Sequence, residues 1–415
     1  MKRSRLPAVL FIILLISACA PVAVTLTPTD TPTAAVTSEP ASPTPVIETP
    51  TSVPDQPSPT PGGSPQASTQ FIAYVRGGQL LVTDITNGVV GGTSQYTTAG
   101  QNDGVYDLAW SPSGESVAFT APVQGDGHVF YIFAQGQSSP TDLGLGSSPS
   151  WSPDSRSLAY IRGPYPDDNI WITNIDNPLP RQLSFESNHA WGRPVFMPDG
   201  SALVVSTADR LNMGAQANTS FTLESLALDG SGTHTPLPGA AQLDGVRLPY
   251  DLRFSPDATR LAFSTSYHLS ACASPGAYYV SQADGSNMQQ FTSPSLTPAL
   301  SAAPERYFVG LDYDWLATSD ALIGNGIVTD CDINSPNMGQ VVGGPQMSIL
   351  RLDGTEGLII PGMFHSLTTD RTGTLVAAAH YQDIQDLNPI VELYSLQTGQ
   401  MVLSLGPGNG PQLQP

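Results

Sequence analysis

Four stretches of the sequence repeat one another: LAWSPSGESVAFTA from Leu108, PSWSPDSRSLAYIRG from Pro149, PVFMPDGSALVVST from Pro194 and LRFSPDATRLAFST from Leu252. Each places an aromatic residue before a Ser-Pro-Asp-type turn and follows it with an alternating apolar segment. The chemistry of such a unit is local. Pro presets φ at the first corner, Asp bonds its own backbone, and Gly accepts positive φ. The alternation in Leu158-Ala159-Tyr160 then puts every second side chain against a neighbouring sheet. The aromatic anchors Trp110, Trp151, Phe196, Phe254 and Trp315, with Leu367 as a degenerate sixth, are spaced 41, 45, 58, 61 and 52 residues apart. That period fits four-stranded blades carrying loop insertions.

Each unit continues into a second hairpin, turning at Thr86-Asn87-Gly88, Gln135-Gly136, Asp176-Asn177, Asp229-Gly230, Asp284-Gly285, Asp353-Gly354 and Thr398-Gly399. Asn-Gly and Asp-Gly are favoured where a tight hairpin needs positive φ. There are seven such hairpins but six inner ones, because the first unit starts abruptly at FIAYVRGGQ. The segment Gly410 to Pro415, GPQLQP, aligns with Ser148 to Pro153, SPSWSP, so Gln412-Leu413 is expected to pair with Phe71 to Val75 and complete the first blade. Seven blades follow; six blades with a trailing segment are the alternative.

These Trp-Ser-Pro-Asp units resemble the WD40-like (PD40) repeats of TolB-type β-propellers, which also occur in the propeller domains of prolyl-oligopeptidase-type peptidases. The likeness spans nearly all of residues 69–415. It is weak at WLATSDALIG, where Ala317 and Ser319 stand for Pro and Gly, and at LTTDRTGTLVA. It implies an all-β propeller fold and partners in the cell envelope.

The first residues read as an export signal. Lys2, Arg3 and Arg5 precede an apolar run too short for a comfortable membrane span. The run ends in Ile16-Ser17-Ala18-Cys19, which resembles the lipobox of bacterial lipoproteins. That resemblance implies cleavage after residue 18, lipidation of Cys19 and an extracytoplasmic protein held to a bilayer by its anchor alone. Residues 19–68, rich in Thr, Pro and Ser, cannot bury a core and read as a disordered, extended stalk, long enough at ~3.1 Å per residue to reach on the order of 100 Å. The net charge is −20, and removing the three cationic signal residues makes it −23 and the chain Lys-free. Such a surface argues against nucleic acid as a partner.

In a propeller the loops between second and third strands share one face, and here they are long. They and the adjoining segments carry Asp126, Tyr165, Asp167, Asp168, Asp209, Tyr267, Asp330, Asp332, Tyr381, Asp383 and Asp386, an acidic, aromatic-edged candidate binding face. Cys272 and Cys331 lie in two such loops of sequential blades and are expected to form a disulfide, leaving a pre-organised rim. Around Asp330, DCDINSPN has the opening spacing of a calcium loop without its Gly at position six or Glu at position twelve. Calcium therefore stays open as a cofactor, and no other is indicated. His128, His189, His268, His365 and His380 fall near the same face without metal-ligand spacing. No G-x-S-x-G nucleophile elbow occurs and no catalytic residue is nominated. Two functions remain: a monomeric binding or scaffolding module for an envelope protein, peptide or glycan, and a small-molecule hydrolase or lactonase with a site at the channel mouth.

Overall fold

In the computed structural model the described residues are 69–415 except 87, 97–103, 134–138, 164–166, 188, 210–221, 241–248, 266–275 and 383–387; Asp209 and Tyr250 are described by backbone alone. They form seven antiparallel sheets. Blade 1 takes its inner strand, Asn409–Leu413, from the far end of the sequence and adds Thr69–Arg76, Gln79–Thr86 and Val89–Tyr96. Blades 2 and 3 are Tyr106–Trp110, Ser116–Val123, Asp126–Phe133, Thr141–Leu145 and Ser147–Trp151, Ser157–Arg162, Asn169–Asn174, Arg181–Gln182. Blade 4 has a split inner strand, His189–Trp191 and Val195–Phe196, followed by Ala202–Asp209, Thr222–Ala227 and His234–Pro236. Blade 5 is Tyr250–Phe254, Arg260–Ser264, Tyr278–Gln282 and Gln289–Phe291. Blade 6 is Arg306–Trp315, Ala321–Asp330, Val341–Arg351 and Glu356–Pro361. Blade 7 is Met363–Thr369, Leu375–Tyr381, Ile390–Ser395 and Met401–Pro407. None of the described helices is long and apolar enough to cross a membrane.

The core lies between blades. Among the described residues there are seven apolar clusters, and each joins one blade to the next. Ile72, Tyr74, Leu81 and Leu413 of blade 1 pack on Ala377, Val391 and Leu393 of blade 7, which closes the ring. The closing strand pairs Leu413 with Ile72 and Gln412 with Ala73, within the Phe71 to Val75 stretch expected for Gln412-Leu413.

Anchor tryptophans add a polar tie across each seam they occupy. Trp110 Nε1 donates to Gln412 O at 2.8 Å, Trp151 Nε1 to Ala109 O at 3.0 Å and Trp315 Nε1 to Arg253 O at 2.9 Å. The acceptor is in every case the residue before the neighbouring blade's anchor, which makes Leu413 the anchor of blade 1. Blade 7 departs from the sequence reading. Anchors pair with a residue seven positions on, as Trp110 with Val117 and Trp315 with Leu322, and the residue doing so in blade 7 is Thr369, paired with Val376. Leu367 is instead a fully buried core residue two positions earlier. Thr369 can hold the anchor place because its hydroxyl donates to Trp315 O at 2.6 Å, replacing the aromatic tie with a hydrogen bond.

The inner turns are alike even where the motif decays. Gly114 N donates to Ser111 O, Ser155 N to Ser152 O and Ser319 N to Leu316 O, with φ of +72°, +62° and +61° at the donor residues. A serine in this left-handed region is costly. Both are held from the preceding blade: Ser155 Oγ accepts from Ser113 N at 2.9 Å, and Ser319 Oγ accepts from Asp257 N at 3.0 Å. The weak WLATSD repeat therefore builds the same turn.

Candidate functional site

Each inner strand runs down the wall of a central channel, and the repeat puts equivalent positions of seven blades around one axis. Three residues before the anchor stand Asp107, Ser148, Arg193, Asp251, Asp312, Ser366 and Gly410. Five of them, Asp107, Ser148, Asp251, Ser366 and Gly410, have φ between +53° and +58°. The strand pairing slips at the same places, between Tyr106 and Ala109, Ser147 and Ser150, Tyr250 and Arg253, and His365 and Thr368. These are β-bulges, which interrupt a ladder and redirect a side chain. Asp107, Arg193, Asp251, Asp312 and Ser366 thereby line a cavity of about 310 Å³ at one end of the channel, with Arg253 and His365. A wider cavity of about 900 Å³ opens at the other end, lined by Trp110, Trp151, Phe196, Phe254 and Trp315 and by turn residues including Pro112, Pro153, Pro198 and Pro256.

One guanidinium organises the charge between them. Arg253 Nη2 donates to Asp251 at 2.7 Å and lies 3.6 Å from Asp312, while Nη1 is 3.0 Å from Asp314 and donates to Leu367 O at 3.2 Å. Blades 5, 6 and 7 are thus clasped at the axis. Burial works against the Arg253 charge, but Asp251, Asp314 and Asp312 outweigh it and hold its pKa well above the usual value. Asp314 is saturated, accepting from Trp315 N at 2.9 Å, Thr369 N at 2.7 Å and Thr369 Oγ1 at 3.1 Å. Asp312 accepts from Tyr313 N at 2.7 Å and Leu367 N at 3.2 Å. It is the carboxylate farthest from the guanidinium, and burial, with Asp251 nearby, pushes its pKa up to about 7 against the pull of Arg253. Across the channel Asp107 accepts from Ser148 N at 3.0 Å and Ser148 Oγ at 3.3 Å, and Arg193 reaches Pro149 O with Nη2 at 2.7 Å.

The rim residues nominated from sequence are distributed rather than gathered. Asp126 and Asp167 are exposed in blades 2 and 3, Asp168 is half-buried, and Asp209 ends the second strand of blade 4. Asp330 is buried: its carboxylate accepts from Asp332 N at 3.1 Å and Ser335 Oγ at 3.0 Å and faces Arg306, so it shapes the loop's turn. Tyr165, Tyr267, His268, Cys272, Asp383 and Asp386 lie outside the described residues. Among the described residues no three His, Cys, Asp or Glu side chains converge as metal ligands. The histidines are dispersed too: His128 pairs with Asp142 at 3.0 Å and His380 with Glu392 at 2.9 Å, whereas His189 packs on Trp191. Among the described histidines, His365 alone lines this channel cavity. Sequence reasoning passed over Asp107, Asp251, Asp312, Asp314 and Arg253. Their signal is positional: YDLAW, DLRF and DYDW each carry Asp three residues before the anchor.

Fold and channel together define the class, a seven-bladed β-propeller with a charged axial channel. No protein-family model matches the chain and no curated protein sequence is similar to it. Solved structures do share the fold. An oligogalacturonate lyase from Vibrio parahaemolyticus aligns at 12% identity over 82% of this chain and 86% of its own, with a TM-score of 0.52. An oligogalacturonate lyase in complex with manganese aligns at 13% over 81% and 83%, with a TM-score of 0.51. TolB from Acinetobacter baumannii aligns at 12% over 83% and 67%, with a TM-score of 0.44. At these identities the likeness is one of architecture.

Proposed function

We propose that the protein is an extracytoplasmic binding or scaffolding module, lipid-anchored through Cys19 and spaced by residues 19–68, that engages an envelope protein, peptide or glycan at the wide mouth of its channel. The observation that carries this reading is the division of the channel. Its wide end offers about 900 Å³ bounded by the turn prolines, the narrow edges of otherwise buried anchor aromatics and the exposed Arg371, a mixed lining for a bound segment or sugar. Its charged interior is largely committed to holding blades together. A Cys272–Cys331 bridge belongs to the same proposal, tying the rim loops of blades 5 and 6. It is supported by Cys331 standing as a half-cystine beside the blade 6 hairpin, with its N–H bonded to Glu305 O at 2.9 Å.

Asp312 favours a second reading, the small-molecule hydrolase or lactonase. A carboxyl that both gives and takes protons near pH 7, inside a cavity of about 310 Å³, has the properties of a general acid–base. One experiment separates the two. A photo-crosslinking residue replacing Ala317 at the wide mouth of the full chain should capture a discrete envelope component, and Asp312→Asn should leave that capture intact. Equal labelling from an exposed control position such as Gln397 overturns the binding reading. Hydrolysis of a lactone or ester panel that disappears in Asp312→Asn establishes the enzyme instead.

A further inference from the structure

The perimeter of the ring consists of outer strands whose far edges have no neighbouring strand among the described residues. Such edges are templates for pairing unless they are short, charged or interrupted by proline. Most here are protected in those ways. Arg181–Gln182, His234–Pro236 and Gln289–Phe291 are two or three residues long, Thr141–Leu145 carries Asp142, Glu356–Pro361 carries a charge and a proline, and Met401–Pro407 ends in proline. Val89–Tyr96 in blade 1 is different. Its eight residues, VVGGTSQY, include no charge and no proline, and all but Tyr96 are exposed.

The middle of that strand is built around a carboxylate. Pairing with the third strand slips between Thr83–Thr93 and Ile85–Val90, so Gly91 and Gly92 together oppose Asp84. A Cβ on Gly91 would fall on the Asp84 carboxylate itself, and one on Gly92 would sit 3.5 Å from Oδ2. The two glycines therefore form a notch in which the carboxylate lies across the strand. Among the described residues the Asp84 carboxylate has no hydrogen-bond or ion-pair partner. A negative charge is thus held at the centre of an uncharged, open edge in a chain whose net charge is −20.

We propose that the outer strand of blade 1 is a strand-addition site for an extended segment of a partner protein, uncharged along the strand except for a Lys or Arg facing Gly91–Gly92. Main-chain hydrogen bonds to the open edge supply the affinity, and Asp84 supplies register and selection. This surface is separate from the channel, so it stands whether or not the channel binds a partner.

The test uses the full chain and capped Val/Thr peptides of the strand's length, N-methylated along one edge to prevent their own pairing, with Arg, Gln or Glu at the centre. Fluorescence anisotropy should rank them Arg above Gln above Glu, with about a fivefold step from Arg to Gln that shrinks as salt is added. Amide exchange should slow within residues 89–96. The near-isosteric Asp84→Asn should erase the Arg-over-Gln preference while leaving Gln-peptide binding in place, a result that loss of folding could not produce. Equal binding of the Arg and Glu peptides, protection located elsewhere, or a dimer in sedimentation that the peptides dissolve would each overturn the assignment.

Discussion

Asp154, in the inner turn of blade 3, and Asp312, in the channel wall of blade 6, are displaced in opposite directions from the ordinary aspartate pKa. Asp154 is mostly in water and accepts from Ser152 Oγ at 2.5 Å and Arg156 N at 3.1 Å, hydrogen bonds that favour its charged form and lower its pKa. Asp312 is desolvated and shares Arg253 with two other carboxylates, and its pKa rises to about 7. The turn pattern recurs at Asp199, Asp257 and Asp353, each lowered chiefly by a Ser or Thr hydroxyl. Environment separates the two groups: donors without burial stabilise an anion, and burial with a shared cation does not suffice for three. The channel and the turns should therefore contribute to stability in different pH ranges. Three perturbations probe that contrast.

Removing the cation should have the largest effect. Arg253→Met keeps the stem and leaves Asp251, Asp312 and Asp314 without their common counter-charge. Losing one partner of a buried ion pair strands the other, at a cost of about 3 kcal/mol. Urea denaturation at pH 7 should show a loss of that order, smaller at pH 4, where Asp312 is protonated. The backbone tie from Trp315 Nε1 to Arg253 O does not depend on the side chain, so the loss reports the guanidinium, its charge and its bond to Leu367 O. An unchanged midpoint at pH 7 would mean that the clasp does not hold the three blades.

How much of this was legible follows from where the information sits. The turn aspartates are written locally, because Ser-Pro-Asp-Gly fixes the geometry and supplies the donors within five residues. The closing strand was legible for a related reason: Leu413 falls on the anchor position when GPQLQP is aligned. The channel aspartates are not local. Asp107, Ser148, Arg193, Asp251, Asp312, Ser366 and Gly410 share a position but not one residue type, and only the ring brings them together. Thr369 was missed because apolarity pointed to Leu367, while strand register, set by the turn that follows, points two residues on. The rim acids were found by composition, which places charge on a face but cannot gather it.

The next perturbation reads the channel through pH. Because its folded pKa is raised, Asp312 contributes stability that is fully present below about pH 4 and lost as pH rises through about 7. Asp312→Asn removes this titration. Stability of the wild-type chain should fall between pH 4 and 7 by about 1–3 kcal/mol more than that of the variant. The amide keeps one acceptor for Tyr313 N or Leu367 N, so an offset common to all pH values is expected and the slope is the informative quantity. Parallel curves would place Asp312 among the ordinary carboxylates and remove the chemical basis of the enzyme reading.

The smallest effect belongs to the turns, and its sign is reversed. Asp257 accepts from Ser255 Oγ at 2.6 Å, Thr259 N at 3.0 Å and Thr259 Oγ1 at 2.8 Å, and its pKa is lowered, first by the Ser255 hydroxyl. A lowered folded pKa means stability that is present above the unfolded value and lost as pH falls through the folded one. The site is exposed, so solvent screens most of the gain, and Asp257→Asn should cost only about 0.5 kcal/mol at pH 7. The substitution leaves the backbone bond from Asp257 N to Ser319 Oγ untouched, so the seam between blades 5 and 6 stays tied and the loss is that of the turn alone. As pH falls through the lowered folded pKa of Asp257 the variant and the wild-type chain should converge, whereas Asp312→Asn changes the slope at higher pH. If Asp257→Asn instead altered stability between pH 4 and 7, the turn and channel carboxyls would be coupled through blade 5, and their opposite displacements could not be assigned to two independent environments.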